Sequence, residues 1–90
     1  MPGFKYTTAF KKDFKRLEND ERVTGRLTIV LAALASGKSV PLAFRDHRLV
    51  GRLSHCRECH IRPDLLLVYE PASEAIVLHR LCNHGELFRN

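Results

Sequence analysis

The chain has no tryptophan, a single methionine and two tyrosines; five phenylalanines supply most of its aromatic content. Glycine (5) and proline (4) are sparse over 90 residues, which excludes collagen-like, linker-like and low-complexity chains. No apolar run approaches the roughly 18–20 residues a membrane-spanning helix needs. The longest, Leu65–Tyr69, has the length of a core strand. The opening MPGFKYTTAFKK holds no continuous apolar stretch. It does not read as a secretory leader, so a cytoplasmic location away from membranes is expected. Cysteine occurs three times, at Cys56, Cys59 and Cys82. An odd count without a leader favours reduced thiols over a disulfide framework. Acidic residues are the minority, 10 against 15 lysines and arginines, giving a net charge of +5 and a pI near 9.5. Such a surface suits an anionic partner, whether nucleic acid, membrane surface or acidic protein. The length allows one modest core, so a single domain over residues 1–90 is expected.

Periodicity divides the chain in two. Phe4–Tyr6 reads as a short opening strand. Thr7 and Thr8 are candidate N-caps for a helix whose apolar stripe is Phe10, Phe14 and Leu17, with Lys11, Lys12, Lys15 and Arg16 on the other face, ending near Asn19. A second helix from Glu21 to Ser36 carries Val23, Leu27, Val30, Leu31 and Leu34, and Gly37 is a natural stop. The link between them is so short that they must form an antiparallel hairpin. Leu42–Gly51 reads as a loop. Gly51–Ile61 shows polar strand-like alternation, Leu65–Tyr69 reads as a strand buried on both faces, Pro71–Glu74 as a turn, and Ala75–Leu81 as a last strand. The order β-α-α-β-β-β implies an α+β fold, a helical hairpin packed on a small, mainly antiparallel sheet.

The chemistry-bearing residues gather in the second half. All five lysines precede residue 39, whereas from Phe44 onward every basic residue is arginine. Arginine's planar fork suits bidentate phosphate contacts, which makes the sheet half the phosphate-facing one. All five histidines lie there too: His47, His55, His60, His79 and His84. Imidazoles beside Asp46, Asp64, Arg45, Arg57 and Arg80 are the groups that RNA cleavage without a metal requires. One takes the proton of a ribose 2′-hydroxyl, another protonates the departing 5′ oxygen, and cations balance the charge on phosphorus. Cys56-Arg57-Glu58-Cys59-His60 has the c-type haem spacing, but haem attachment needs export and a helical setting. Zinc held by Cys56, Cys59, Cys82 and His84 conflicts with strand parity, which puts Cys56, Glu58 and His60 on one face and Arg57, Cys59 and Ile61 on the other. No metal and no cofactor are therefore expected; Cys59 reads as a small buried hydrophobe, His79 as structural and His55 as a surface residue.

Read in order, the second half contains Asp46-His47-x-Leu49-x-Gly51, Arg57-Glu58-x-His60-Ile61-x-Pro63-Asp64, Leu66-Leu67-Val68-Tyr69, Arg80 and His84-x-x-Leu87-Phe88. This series resembles the YafQ branch of the RelE/ParE superfamily of bacterial toxins, over nearly the whole chain. The resemblance implies a RelE-like fold and a small mRNA endoribonuclease of a type II toxin-antitoxin system. Such proteins act on translated mRNA in the ribosomal A site, cleave through 2′-hydroxyl attack without a metal, and are restrained by a cognate antitoxin. Operator DNA would be met only through the antitoxin complex. By resemblance His47, His60, Asp64, His84 and Phe88 fall at functional positions. His84 is then the general acid, and His47 or His60 the base or its orienting partner. Asp64 fixes an imidazole or takes the proton itself. Arg57 and Arg80, with Arg45, would face the phosphate, and Phe88 would stack on a base. Leu53 and Leu65 stand where the best-known relative carries tryptophan, and Cys82 where glycine is common. These departures keep open an alternative, a degenerate domain that binds RNA or antitoxin without cleaving.

Overall fold

A computed structural model describes residues 3–88. Thr7 opens the first helix as its hydroxyl accepts from the Phe10 amide at 3.0 Å, and Asp20 opens the second by accepting from the amides of Arg22 and Val23. Gly37, at φ +72°, takes the left-handed conformation that ends the hairpin. The elements are β1 (Gly3–Tyr6), α1 (Thr8–Leu17), α2 (Glu21–Ala35), β2 (His47–Arg48), β3 (Arg57–Arg62), β4 (Leu65–Pro71), β5 (Ala75–Cys82) and α3 (His84–Leu87), with single 3-10 turns at Leu42–Phe44 and Gly51–Leu53. The five strands form one mixed sheet in the order β1-β5-β4-β3-β2. Only β1, beside β5, runs parallel to its neighbour. The α+β class, the helical hairpin and the mainly antiparallel sheet all stand as the sequence implies.

Three boundaries differ. The expected loop at Leu42–Gly51 contributes the edge strand β2, paired with β3 at His47↔Glu58 and Arg48↔Arg57. Two residues are too few to show an alternating pattern, so this pairing is set by tertiary contact. The strand expected from Gly51 begins only at Arg57, because Gly51 (φ +71°) starts a 3-10 turn. The residues after β5 form the short helix α3, closed by a capping box between Asn83 and Glu86.

One sheet face packs on the helices. Its core joins Phe10, Val23, Leu27 and Val30 to Cys59, Ile61, Leu67, Tyr69, Leu78 and Leu81. Val68, alternating with the core residues of β4, faces the other way and packs with Cys56, just ahead of β3, and with Leu49, Leu53 and Leu87 in a smaller cluster. The cysteines are thus divided, as parity requires, and burial pushes the Cys59 thiol up to about 12 and that of Cys82 up to about 11.

Asp13 lies within the apolar stripe of α1 and is 4% exposed. It receives Nε of Arg80 at 2.8 Å, Nη2 of Arg80 at 3.3 Å and the Leu81 amide at 2.9 Å. This locks α1 to the end of β5, beyond the point where β1 stops. Burial alone would raise the Asp13 carboxyl, but the bonds from Arg80 and Leu81, with the charges of Arg80 and Arg16, outweigh it and hold the group below its ordinary value.

Candidate active site

On the sheet face turned away from α1 and α2, three of the expected histidines converge. His47 sits on β2, His60 on β3 and His84 at the start of α3. The His47 and His60 rings are 6.3 Å apart between centroids, as are those of His60 and His84. The edge strand supplies the first, the parity of β3 the second, and the Asn83 cap holds the third where the chain leaves β5.

Between them lies Glu58, which is 2% exposed. Its Oε2 is 2.9 Å from Nε2 of His84, and its Oε1 is 3.6 Å from Nε2 of His47. A buried carboxylate without partners is strongly unfavourable, so the His84 imidazole and Glu58 fix one another, with His47 close by. His47 is held from its other side, with Nδ1 2.9 Å from the Arg45 carbonyl. A carbonyl only accepts, so Nδ1 carries the hydrogen and the neutral ring keeps its lone pair on Nε2, toward the centre of the cluster. His84 has the opposite arrangement. Nε2 donates to Glu58, and Nδ1 remains for other chemistry. Phe88, 64% exposed, lies parallel to His84, with the planes 8° apart and centroids 6.3 Å apart.

The remaining expected residues are placed differently. Asp64 is exposed in the turn between β3 and β4, and among the described residues it makes no hydrogen bond to a histidine. Arg57 donates through Nε and Nη2 to Asp46 at 3.1 and 2.9 Å, and Asp46 also accepts from Tyr69 Oη. Burial and that bond push the Tyr69 hydroxyl well above its ordinary value. Arg80 is bound to Asp13, as described. Arg45, at φ 52°, is exposed and lines a recess of about 120 Å³ with Arg26, Ala43, His60, Arg62 and Pro63. Arg26 and Arg62, absent from the sequence-based set, thus stand with Arg45 beside His60. Arg26 bonds the Ile61 carbonyl and lies 4.7 Å over the Phe44 ring, and Arg62 pairs loosely with Asp20 at 3.4 Å.

Glu58 is the main residue that the sequence-based set misses. Parity already put it beside His60; its burial follows from the pairing of β3 between β2 and β4, where it stands opposite His47 and Val68. The departures at Leu53, Leu65 and Cys82 are absorbed by packing. Leu53 joins the smaller cluster, Leu65 packs against the main core, and Cys82 is fully buried opposite Leu66.

The sequence model of a family described as the bacterial toxin of type II toxin-antitoxin systems, YafQ, matches residues 3–89, and the chain belongs to this family. It is 25% identical over 84 residues to the mRNA interferase toxin YafQ of Escherichia coli K12, covering 92% of this chain and 91% of that protein. A copper-bound mutant toxin from Helicobacter pylori superposes with a TM-score of 0.85 at 34% identity, over 98% of this chain and all (100%) of that one. YafQ in the E. coli DinJ-YafQ complex superposes with a TM-score of 0.85 at 23% identity, covering 99% and 100% of the two chains, a likeness of fold. Among the described residues no helix is long and apolar enough to cross a membrane.

Proposed function

We propose that this toxin is an mRNA endoribonuclease that works through side-chain acid-base catalysis. The observation that carries the reading is the trio of imidazoles set around buried Glu58, with exposed Phe88 stacked on one of them. His47, its free Nε2 facing the site, takes the proton of a ribose 2′-hydroxyl; His60, next to it, is the alternative base. The 2′ oxygen then bonds to the adjacent phosphorus as the bond to the 5′ oxygen breaks. His84 gives that oxygen a proton from Nδ1. Glu58 orients His84 and carries charge opposite to that appearing on His47. Arg45 supports the phosphate first. Arg80, anchored by Asp13, contributes the donors left over, and Phe88 stacks on a base; Arg57, opposite Tyr69 and bound to Asp46, lies on the helix-packed face and takes no part. Asp64, exposed in the turn between β3 and β4, adjusts an imidazole only through a bridging water. The enzyme acts in the cytoplasm on mRNA in the ribosomal A site, as the resemblance implies; the E. coli relative's name supports mRNA as the substrate.

The products fix the chemistry. Purified toxin acting on an end-labelled RNA should leave a 2′,3′-cyclic phosphate, or the 3′ monophosphate from its opening, and a 5′-hydroxyl. A 5′-phosphate product would show attack by water and would overturn the 2′-hydroxyl route.

An E. coli relative was solved in complex with DinJ, and a groove of this chain suits an antitoxin. Tyr6, Phe10, Phe14, Leu27 and Leu31 line a groove of about 450 Å³ between α1, α2 and β1, with Lys11, Lys15 and the single acid Glu18 at its edge. An amphipathic segment bearing acidic residues fits that combination of apolar floor and cationic rim. Lys11→Glu with Lys15→Glu should weaken the pair at low salt, and unchanged affinity would remove the groove from the interface. DNA contact then falls to the assembled pair.

A further inference from the structure

The same open sheet face carries a second cluster, which the cleavage chemistry does not use. His55, Cys56, Glu70 and His79 each aim a ligand atom into one spot, and all of these atoms lie within 4.8 Å of one another. Nε2 of His79 is 2.8 Å from Oε1 of Glu70, and the His55 ring stands edge-on to His79 at 6.2 Å. Cys56 is 2% exposed beneath them, whereas His55 is exposed and gives access from solvent.

Two local features build the cluster. The chain is still turning at His55, before β3 begins, so neighbours that would oppose each other in a strand reach the same place. In β5, Leu78 pairs with Tyr69 and Arg80 with Val68, which leaves His79 as the extra residue of a bulge. Bulges re-aim side chains, and this one turns His79 to Glu70 and His55.

We propose that these four residues form a metal site, separate from the catalytic histidines, that takes zinc(II). One thiolate, two imidazoles and one carboxylate are borderline donors suited to a tetrahedral ion; calcium and magnesium call for oxygen alone. Donors about 2.0–2.3 Å from zinc stand roughly 3.3–3.8 Å apart, a modest contraction of the present spacing. Four protein donors leave no open position, so the ion is structural and ties the turn before β3 to β4 and β5. On binding, Cys56 releases its proton to solvent, and no electron is transferred.

Cobalt(II) is the probe, because its complexes report thiolate ligation in the near ultraviolet and tetrahedral geometry in the visible. The His47, His60, His84 and Glu58 group contains no thiol, so a thiolate band reports on this site alone. Metal-free, reduced, full-length protein should bind one equivalent of cobalt with both signatures, and zinc should displace it. The thiolate band should vanish in Cys56→Ser, the tetrahedral bands should weaken in His79→Gln and Glu70→Gln, and both should persist in Cys82→Ser and His84→Ala. Should Cys56→Ser fail to fold by circular dichroism, the His79→Gln and Glu70→Gln proteins decide. Absence of the band in folded wild type overturns the proposal, as does a spectrum indifferent to those substitutions. Cobalt binding without thiolate and lost in His84→Ala would place the ion at the catalytic histidines instead.

Discussion

Nε2 of His84 lies 2.9 Å from Oε2 of Glu58, a carboxylate with 2% of its surface exposed. His47 reaches the other oxygen of the same group at 3.6 Å. One buried acid therefore orients the imidazole proposed as the acid and stands beside the one proposed as the base, which the Arg45 carbonyl orients, and the Asn83 cap keeps the first of them in place.

Replacing His84 with alanine should lower the cleavage rate by about 10²–10⁴-fold, the usual contribution of a positioned acid or base. The far-ultraviolet spectrum and antitoxin binding should stay those of wild type, since the His84 side chain is 56% exposed. Single-turnover cleavage measures the rate, and an unchanged rate would remove His84 from the chemistry.

Glu58→Gln preserves shape and removes charge. It should lower kcat by about 10–100-fold, less than loss of the imidazole. KM should hardly move, because a buried group does not touch RNA. A rise in KM at constant kcat would mean that Glu58 shapes the binding surface instead.

Phe88→Ala should weaken RNA binding by about 1–3 kcal/mol, the worth of one stacked base, and appear mainly in KM. Thermal stability should change little, because the ring is 64% exposed. A sharp fall in Tm would make Phe88 a packing residue.

Asp13 is a test of the scaffold. Asp13→Ala strands Arg80 and the Leu81 amide and should cost about 3 kcal/mol in urea unfolding. The carboxyl is held below its ordinary value of 3.8 in the folded chain. Its stabilisation is therefore complete at pH well above 3.8 and is lost as the pH falls through the lower folded value. The gap between wild type and Asp13→Asn should be widest near neutrality and close in acid. A gap that widens on acidification would contradict this assignment.

Much of this was legible in the sequence, and the reasons differ by element. The helices could be read because Phe10, Phe14 and Leu17, then Val23, Leu27 and Val30, repeat at helical spacing behind side-chain caps. β4 could be read because Leu66, Leu67, Val68 and Tyr69 are apolar on both faces. The histidines of the site were visible, but its centre was not. Glu58 looks like any charged residue of an alternating strand until β2 and β4 flank it and His84 reaches its carboxylate. Strand β2 is hidden because only its pairing with β3 makes it a strand. Arg57 invites a phosphate role until the fold sets Asp46 against it on the other sheet face, and Arg80 keeps only the donors that Asp13 leaves. The bulge that turns His79 toward Glu70 leaves no mark on the alternation of β5.

The central claim is that this toxin cleaves mRNA using His84. Primer extension on a reporter mRNA after brief induction, comparing wild type with His84→Ala, tests it most directly. The account predicts cuts in the reading frame at particular codons in the wild type and none in the mutant. The same cuts in both, with equal amounts of folded protein, would contradict it.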